Sequence, residues 1–331
     1  MKSTVYDVAD EAGVAVSTVS RVINGSSRIS SETAARVNEA ILRLGYEVRH
    51  RQRKSMFSFS RTVAVLTMDM LAPQFGTTAA TIQQELERLE YSCVVYNTGS
   101  DPRIISDCIT FLNKAGILSV VCLGAVYEPI LLETRIIDKF PEMPFILCNY
   151  YYPADNVYSV IIDEVYAGKI AVDHLYQRGH KDILFVKDNN SRSEKNILQG
   201  FIDGMSSCGL DVCDGTFFQT TRSLEGGWHA AESIIASGKR FTAVVCNEDF
   251  PAVGLIQRFR KLGYSIPDDV AVIGFNNSII ARCCSPLLTT VDKKIDVIGN
   301  FVVNNIKLYA TGQAAPHQIT ITPELVVRES T

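Results

Sequence analysis

The sequence predicts an α/β protein in which a small N-terminal unit of three helices precedes a larger body of two lobes, each a parallel sheet flanked by helices. Three observations support this fold class. The first 45 residues have apolar positions at helical spacing and no strand-like run. Beyond residue 61, short β-branched apolar runs alternate with longer amphipathic stretches. A length of 331 residues is also enough for about two domains, each with its own core.

Three helical periods organise the N-terminal unit. They consist of apolar residues three or four positions apart: Val5, Val8, Ala9 and Ala12, then Val19, Val22 and Ile23, then Val37, Ile41 and Leu44. We expect Gly13, Gly25 and Gly45 to end these helices, because glycine readily adopts the left-handed conformation that closes a helix. Either Ser30 or Ser31 is the expected N-cap of the third helix.

Eight apolar runs are predicted to be strands of the body. They are residues 62–68, 92–96, 118–123, 144–149, 158–162, 182–187, 242–247 and 270–275. The segments between them have helical spacing, as Ile82, Leu86 and Leu89 illustrate. An aromatic, turn-rich break at residues 150–157 is expected to divide the body into two similar lobes. Because open parallel sheets bind ligands at the carboxyl ends of their strands, the cleft between the lobes is the expected ligand site.

Charge is distributed unevenly along the chain. The formal net charge is only −4, from 32 Lys+Arg and 36 Asp+Glu. Residues 1–61 hold 10 basic and 6 acidic residues, net +4, whereas residues 62–331 hold 22 and 30, net −8. Residues 49–61, RHRQRKSMFSFSR, alone carry +5. A basic head is suited to nucleic acid, while the acidic body is expected to repel it.

Targeting signals and cysteine usage indicate a cytoplasmic protein. The N-terminus has three acidic residues where a secretory signal needs an apolar segment, and no stretch approaches 18 apolar residues. The nine cysteines are an odd number without a CxxC pair, which is typical of reduced, buried thiols. The adjacent Cys283 and Cys284 leave a redox or metal role open.

Motifs of catalysis are missing from the sequence. It contains no GxGxxG, GxxxxGK[ST], HExxH or GxSxG, and its five histidines are scattered. We therefore expect no enzyme activity, no cofactor and no metal. A two-lobed transport receptor would need an export signal in place of residues 1–45.

The stretch YDVADEAGVAVSTVSRVING has the pattern of a helix-turn-helix. The first helix ends at Gly13, and the second presents Ser17, Thr18, Ser20 and Arg21 away from its apolar stripe. An arginine there can bind guanine with two hydrogen bonds. Periodicity alone leaves an ordinary helical hairpin open.

The segment VADEAGVAVSTVSRVING, followed by SSRISSETAARVNEAILRLGY, resembles the DNA-binding headpiece of the LacI/GalR family of bacterial transcription regulators. The body segments PFILCN, VIIDEVYAGKIAVDHLYQRGHKDILFV and AVVCNEDFPAVGLIQRFRKLGYSIPDDVAVIGFNN continue the resemblance, which covers essentially the whole chain. It implies a headpiece at 1–48, a hinge linker at 49–61 and a periplasmic-binding-protein-like body at 62–331.

The function implied by the resemblance is that of a repressor. It implies a homodimer on pseudo-palindromic double-stranded operator DNA, controlled by a small-molecule effector, a sugar or sugar derivative, in the cleft. The alternative is a two-lobed receptor regulated by a protein partner. The positions expected to contact DNA are Thr4, Tyr6, Val16, Ser17, Thr18, Ser20, Arg21, Asn24, Arg28, Arg49, Arg51, Arg53 and Met56.

The linker departs from the family pattern. The family's hinge helix inserts a leucine into the minor groove, and that position falls on Ser55 here. Met56 or Phe57 is then expected to act as the wedge, with Met56 preferred; otherwise the protein bends its operator less. A solvated linker without a wedge is the plain alternative. Ala15 also stands where the family commonly has a capping serine.

Seven positions are expected at the effector site: Phe75, Asn149, Lys195, Ile197, Trp228, Glu248 and Asn276. The family usually has an arginine at the position of Ile197 and an aspartate at that of Asn276. The loss of both charges suggests a less polar effector, or a neutral one in another orientation. Asp249 could equally be a helix cap, and Trp228 has the spacing of a core residue.

Overall fold

The computed structural model describes residues 4–23, 30–44, 61–188 and 191–331. The chain divides into two compact units, Met1–Met56 and Phe57–Thr331. In the described part of the first unit the helices are α1 (Val5–Ala12), α2 (Val16–Ile23) and α3 (Ser31–Arg43). Their contact faces bury the small apolar side chains Val8, Ala9, Ala12, Val19, Val37 and Ala40.

The second unit contains two sheets, and each defines a lobe. Lobe 1 has the strand order β11-β5-β4-β3-β1-β2, and its pairs are all parallel. Its strands are β1 (Thr62–Thr67), β2 (Ser92–Asn97), β3 (Ser119–Leu123), β4 (Phe145–Cys148), β5 (Val157–Ile162) and β11 (Gln318–Ile321). Its helices are α4 (Pro73–Arg88), α5 (Pro102–Lys114), α6 (Tyr127–Thr134) and α12 (Ile295–Ala310). Apolar clusters lie on both faces of the sheet, so the lobe has three layers.

Lobe 2 repeats this arrangement with the strand order β12-β10-β9-β8-β6-β7, in which only the β10–β12 pair is antiparallel among the described residues. Its strands are β6 (Ile183–Lys187), β7 (Phe217–Gln219), β8 (Ala243–Cys246), β9 (Ala271–Phe275), β10 (Thr289–Asp292) and β12 (Glu324–Val326). Its helices are α7 (Glu164–Gln177), α8 (Arg192–Ser207), α9 (Leu224–Ala236), α10 (Asp249–Lys261) and α11 (Ile279–Cys283).

The chain passes between the lobes at three places. It leaves lobe 1 after β5, returns between β10 and α12, and leaves again between β11 and β12. The first and third crossings are joined, because the backbone N–H of Asp163 donates to the carbonyl of Ile321 at 3.0 Å. These crossings form the hinge side of the cleft between the lobes.

The eight predicted strands are confirmed, but the predicted break between the lobes is wrong. β5 pairs with β4 inside lobe 1, so the lobes separate at residue 163 instead of at 150–157. Tyr150 and Tyr152 are buried in the core of lobe 1, which explains why this aromatic segment does not act as a connection. The predicted end of the first helix at Gly13 is confirmed. Ser30 is the N-cap of α3, because its hydroxyl accepts from the backbone N–H of Thr33 at 3.3 Å. Gly25 and Gly45 lie outside the described residues.

Close approach of two helices in lobe 2 depends on glycine. A Cβ at Gly200 on α8 would lie 1.8 Å from the carbonyl oxygen of Val165 on α7. A Cβ at Gly168 would likewise meet the carbonyl oxygen of Ile197 at 2.1 Å. The two helix backbones therefore touch directly, which fixes the position of the α8 N-terminus at the cleft.

Candidate functional site

The first helix of the N-terminal unit is closed at both ends. The Thr4 hydroxyl accepts from the backbone N–H of Asp7 at 3.4 Å, and the Asp7 carboxylate accepts from the backbone N–H of Thr4 at 2.7 Å. At the other end Gly13 has φ 61°, a left-handed conformation, and the chain turns there into α2. The segment has the helix-turn-helix architecture predicted from its sequence.

The second helix packs through one face and presents a polar face outward. Val19 is fully buried, with Val16 and Val22 partly buried beside it. Ser17 is exposed and Thr18 is half-buried. A helix with short polar side chains on its outer face can enter a DNA major groove, so α2 is the candidate nucleic-acid interface.

The predicted DNA contacts differ in how accessible they are. Tyr6 is 67% exposed, whereas the Thr4 hydroxyl also donates to the Asp7 carboxylate at 2.7 Å and is occupied by this cap. The side chains of Ser20 and Arg21, on α2, are outside the described set. The remaining predicted contacts lie wholly outside the described residues: Asn24, Arg28, Arg49, Arg51, Arg53 and Met56.

An arginine of α3 joins the helices of the N-terminal unit. The Arg36 guanidinium donates to the carbonyl of Ala12 at 2.6 Å and to that of Gly13 at 3.4 Å. These carbonyls belong to the end of α1, where the helix leaves acceptors without internal partners. Arg36 therefore stabilises the turn that precedes α2.

Arg61, the last residue of the predicted linker, contacts lobe 1. Its guanidinium lies 5.0 Å from the centre of the Tyr91 ring and donates to the carbonyl of Leu89 at 3.3 Å. This basic residue thus has partners within the body.

A cavity of about 670 Å³ lies between the two lobes. Five of the predicted effector residues line it: Phe75, Asn149, Lys195, Glu248 and Asn276. A side chamber of about 240 Å³ shares Phe75, Glu248 and Asn276 with it. The volume is within the range typical of small-molecule sites.

The structure places two predicted effector residues elsewhere. Ile197 is 1% exposed and packs in the core between α8 and the lobe 2 sheet. Trp228 lies on α9, where its indole N–H donates to the Gln257 side chain at 3.1 Å and its ring lies 5.4 Å from the Lys261 ammonium. Both side chains stabilise the packing of lobe 2, and neither is among the cavity-lining residues.

A charged cluster that the sequence did not reveal lies on the lobe 2 side of the cavity. Arg222, in the loop after β7, donates to the buried Asp188 carboxylate and lies 3.8 Å from the Glu248 carboxylate. Asn276 donates to the other oxygen of Glu248 at 2.6 Å. Asn247 donates to Asp188 at 2.5 Å. The arginine absent at position 197 is thus replaced by one from another part of the chain, so the expected loss of charge from the pocket is wrong.

Two carboxylates compete for this single guanidinium. Burial raises the pKa of Glu248 to about 7, because the nearby positive charges of Arg222 and Lys293 offset desolvation only in part. Burial also opposes ionisation of Asp188, but the charge of Arg222 and the hydrogen bonds around it hold the pKa of that carboxyl below its usual value. Asp188 is therefore the ionised partner of Arg222, while Glu248 titrates near neutral pH.

Polar contacts join the two lobes at the cavity. Arg192, at the N-terminus of α8, forms an ion pair with Glu128 on α6. On the hinge side, the Lys293 ammonium donates to the buried Glu164 carboxylate at 3.0 Å and to the Ser193 hydroxyl at 3.3 Å. A ligand in this cavity would touch groups of both lobes and of the β10–α12 crossing.

Asp249 has a structural role, one of its two expected readings. Its carboxylate accepts from the backbone N–H and the hydroxyl of Ser278, each at 2.7 Å, and from the Thr290 hydroxyl at 2.6 Å. Burial raises its pKa to about 6, against these hydrogen bonds. It holds the β9–α11 loop, which carries Asn276 to the cavity.

Sequence reasoning missed Arg222 for a definable reason. The strand before it, β7, has three residues, too few to show alternation. The one local signal was Ser223, whose hydroxyl caps α9 by accepting from the backbone N–H of Gly226 at 3.0 Å. If β7 had been recognised as a strand, the Ser223 cap would have placed Arg222 between the end of that strand and the start of α9.

Two kinds of feature are absent from the part of the chain that the structure describes: groups of metal ligands and membrane-spanning helices. Within residues 4–23, 30–44, 61–188 and 191–331, no three His, Cys, Asp or Glu side chains are grouped as metal ligands would be. None of the helices in these ranges has the length and apolar character needed to cross a membrane.

Comparison with protein families finds two matches. The profile described as bacterial regulatory proteins, lacI family, matches residues 4–48. The profile of the periplasmic binding protein-like domain matches residues 172–331.

Curated relatives match over the full length. The HTH-type transcriptional regulator DegA of Bacillus subtilis is 29% identical over 333 residues, covering 100% of this chain and 98% of its own. The HTH-type transcriptional repressor PurR of Mannheimia succiniciproducens is 28% identical over 332 residues, covering 99% and 98%.

Solved structures share the fold. The Lac repressor bound to ONPG in the repressed state aligns with a TM-score of 0.76 at 21% identity, over 100% of both chains. The transcriptional regulator CelR with cellobiose aligns with a TM-score of 0.70 at 23% identity, again over 100% of both.

Proposed function

The chain belongs to the lacI family of bacterial regulatory proteins, and we propose that it is a repressor that binds operator DNA as a homodimer and is controlled by a small molecule in the cavity between its lobes. The observation that carries the proposal is the lacI-type helix-turn-helix of residues 4–48 on the same chain as a two-lobed body with a cavity of about 670 Å³.

The proposed DNA contacts divide into base readout and phosphate binding. The outer face of α2, with Ser17 and Thr18, and Arg21 of the same helix read the major groove, while Tyr6 supports the docking. The five basic residues of 49–61 supply most of the charge attraction, because residues 1–48 sum to −1. The proposed domains are a headpiece at 1–48, a linker at 49–61 and a body at 62–331.

Control by a ligand follows from the contacts at the cleft. A ligand between the lobes contacts lobe 2 at Arg222 and Glu248 and lobe 1 at Phe75 and Asn149. It therefore favours one relative orientation of the lobes, and only such differential contacts can shift the conformational equilibrium. A sugar or sugar derivative suits the amide and charged groups, with Phe75 as a stacking face. A cavity of about 670 Å³ lined by both lobes favours a small molecule over regulation by a protein partner.

Selection of bound genomic DNA tests the proposal. The full-length protein is mixed with fragmented genomic DNA, and the retained fragments are sequenced. We expect a pseudo-palindromic site to be enriched, and the enrichment to be lost in Ser17→Glu, which places a negative charge at the proposed groove face. Glu225→Gln on α9, far from the headpiece in sequence, is the matched control and should bind normally. Retention without any shared sequence would refute the proposed regulator.

A further inference from the structure

One ion pair spans the cleft between the lobes. The guanidinium of Arg192, in the first turn of α8, binds the carboxylate of Glu128, in the first turn of α6, and both residues line the cavity. Of the other ion pairs in the described part of the body, each lies within one lobe or at a crossing. The contact between Arg192 and Glu128 therefore depends on the relative orientation of the lobes.

Glu128 is carried by a fixed part of lobe 1. The residue before it, Tyr127, is fully buried in the core of that lobe. The Tyr127 hydroxyl is hydrogen-bonded to that of Thr98, just after β2, at 2.7 Å. A large side chain packed in this way has few alternative positions, so the start of α6 moves together with lobe 1.

Arg192 is carried by an equally fixed part of lobe 2. The direct contact of α8 with α7 at Gly200 joins the helix to that lobe. Next to Arg192, the Ser193 hydroxyl donates to the Glu164 carboxylate and accepts from the Lys293 ammonium at 3.3 Å, so the start of α8 is bound to the β10–α12 crossing. Because the backbone is held on both sides, a rotation that opens the cleft separates Arg192 from Glu128.

The exposure of this ion pair determines the size of its effect. The side chain of Arg192 is 50% exposed, and that of Glu128 is 17% exposed. Pairs that are partly open to solvent change an equilibrium by about two- to fivefold, and added salt weakens them further. The pair therefore alters the ratio of open to closed lobes without preventing either state.

We propose that Arg192 and Glu128 form a latch that holds the lobes together over the cavity and slows the entry of molecules into it. Both side chains line the cavity and Arg192 is also half exposed, which places the pair at the rim. This inference rests on the proposed function, because that function assigns the cavity to an effector, and it adds the step that admits the effector.

A cysteine inside the cavity reports how often the latch opens. Cys148, at the end of β4, lines the cavity and is 4% exposed. Burial raises the pKa of its thiol, so its reaction with N-ethylmaleimide is slow compared with lobe motion, and the rate follows the open fraction. Mass spectrometry of the full-length protein without DNA measures this rate. The exposed Cys283 is the internal reference.

Neutral variants of both partners test the latch. Glu128→Gln and Arg192→Gln should each raise the rate at Cys148 by about two- to fivefold and leave the rate at Cys283 unchanged. High salt should accelerate the Cys148 reaction of the wild type more than that of Glu128→Gln, because screening weakens the pair. Arg88→Gln, which removes an ion pair with Glu85 inside α4, is the matched control and should react like the wild type.

Exchange of the two charges distinguishes a latch from a structural role of either side chain. Arg192→Glu together with Glu128→Arg should return the Cys148 rate to within about twofold of the wild type. A double variant that reacts as fast as the neutral variants would overturn the latch. Equal Cys148 rates in the wild type and both neutral variants, including no detectable reaction in any of them, would also overturn it.

Global unfolding is a separate route to a faster reaction. Cys122, which is 0% exposed in the core of lobe 1, becomes accessible only when the lobe unfolds. We expect the Cys122 thiol to stay unmodified in both neutral variants. A parallel rise of the rates at Cys122 and Cys148 would assign the effect to unfolding and overturn the latch.

Genomic DNA selection on the same preparations separates this inference from the proposed function. Enrichment of an operator with unchanged Cys148 rates overturns the latch and leaves the regulator intact. The expected Cys148 rates without specific DNA binding support the latch and overturn the regulator.

Discussion

The guanidinium of Arg222 lies 3.8 Å from the carboxylate of Glu248, but the hydrogen bond that it donates goes to the carboxylate of Asp188. One guanidinium therefore lies beside two carboxylates, of which Glu248 lines the cavity and Asp188 is buried behind it, and the charge of Glu248 is the less well compensated of the two. The position of Arg222 thus links the stability of lobe 2 to the chemistry of the ligand site.

Removal of Arg222 should destabilise the body. In Arg222→Met the side chain of Asp188, 1% exposed, loses its ion pair with the guanidinium of Arg222. We expect the free energy of unfolding to fall by about 1–3 kcal/mol at pH 8, as for a buried charged group that loses its hydrogen-bond donor. Urea denaturation measures the change.

Arg240→Gln is the matched control for this prediction. Arg240 forms an ion pair with Asp182 at 3.0 Å, and its side chain is 84% exposed. Exposed pairs of this kind contribute less than about 1 kcal/mol. An equal effect of both substitutions would show that the position of Arg222 in the cluster has no special importance.

The contribution of Glu248 to stability should decrease as the pH rises towards neutrality. The pKa of Glu248 is about 7 in the folded protein, above its usual value, so the folded state binds the proton more tightly than the unfolded state. This contribution is fully present below the unfolded pKa and is lost as the pH rises through about 7, with a slope of at most about 1.4 kcal/mol per pH unit.

Glu248→Gln tests the assignment of this pH dependence. Because the amide does not titrate, the free energy of unfolding of the wild type minus that of Glu248→Gln should fall between pH 5.5 and 7.5, whereas the lowered pKa values of His174 and His180 act in both proteins alike. Asp249, with a pKa of about 6, retains the part of the dependence at lower pH. Glu225→Gln should behave like the wild type. A difference in the free energy of unfolding between the wild type and Glu248→Gln that stays constant or increases over this range would contradict the pKa of Glu248.

Gly200→Ala should separate α8 from α7. The new methyl group would lie 1.8 Å from the Val165 carbonyl oxygen, and backbone atoms cannot move aside cheaply. We expect a loss of about 1–3 kcal/mol in thermal or urea unfolding, and weaker ligand binding because α8 carries Ser193 and Lys195 to the cavity. Ser206→Ala, at an exposed position of the same helix, should leave both nearly unchanged. Normal stability of Gly200→Ala would mean that the helices do not touch.

Arg36→Ala should loosen the headpiece. It removes the donor to the Ala12 carbonyl at 2.6 Å, and we expect a local loss of about 1 kcal/mol. Faster amide hydrogen exchange in α1 of the full-length protein would report it, together with weaker operator binding. Arg43→Ala, whose side chain is 66% exposed and pairs with Glu39 at 2.8 Å, is the control with a smaller expected effect. Equal exchange rates in the two variants would argue against a role of Arg36 in the turn.

The parts of the fold that were predictable from sequence are those with a long periodic signal. The eight strands confirmed in the structure are β-branched runs of four to six residues, and the pattern around Val8 and Val19 gave the headpiece helices. The short strands β7, β10, β11 and β12 have three or four residues and none lies in a continuous apolar run like those that marked the other eight, so the return of the chain to lobe 1 through β11 was not predictable.

The candidate site was predictable where it follows directly from a strand. Asn149, Glu248 and Asn276 each come just after a buried strand, and all three line the cavity. Arg222 was missed because the strand before it, β7, has three residues, and Lys293 was missed because β10, TTVD, contains a single apolar residue. Ile197 was chosen by analogy of position alone, and its helical face is directed into the core.

Salt dependence measures how much of the affinity comes from the linker. Replacement of Arg49, Arg51, Arg53 and Lys54 by glutamine removes four of the five basic residues in 49–61. If each of these side chains contacts a phosphate in both subunits of the proposed homodimer, eight contacts are lost, and the slope of log affinity against log salt concentration should become shallower by about 7. An unchanged slope would mean that these side chains do not reach the DNA backbone.

Sequence-specific DNA binding is tested by the ratio of two affinities. Fluorescence anisotropy at physiological salt compares the affinity of the full-length protein for the operator selected from genomic DNA with that for the same sequence scrambled. We expect the operator to bind at least about a thousandfold more tightly. Equal affinity for the two duplexes would contradict it.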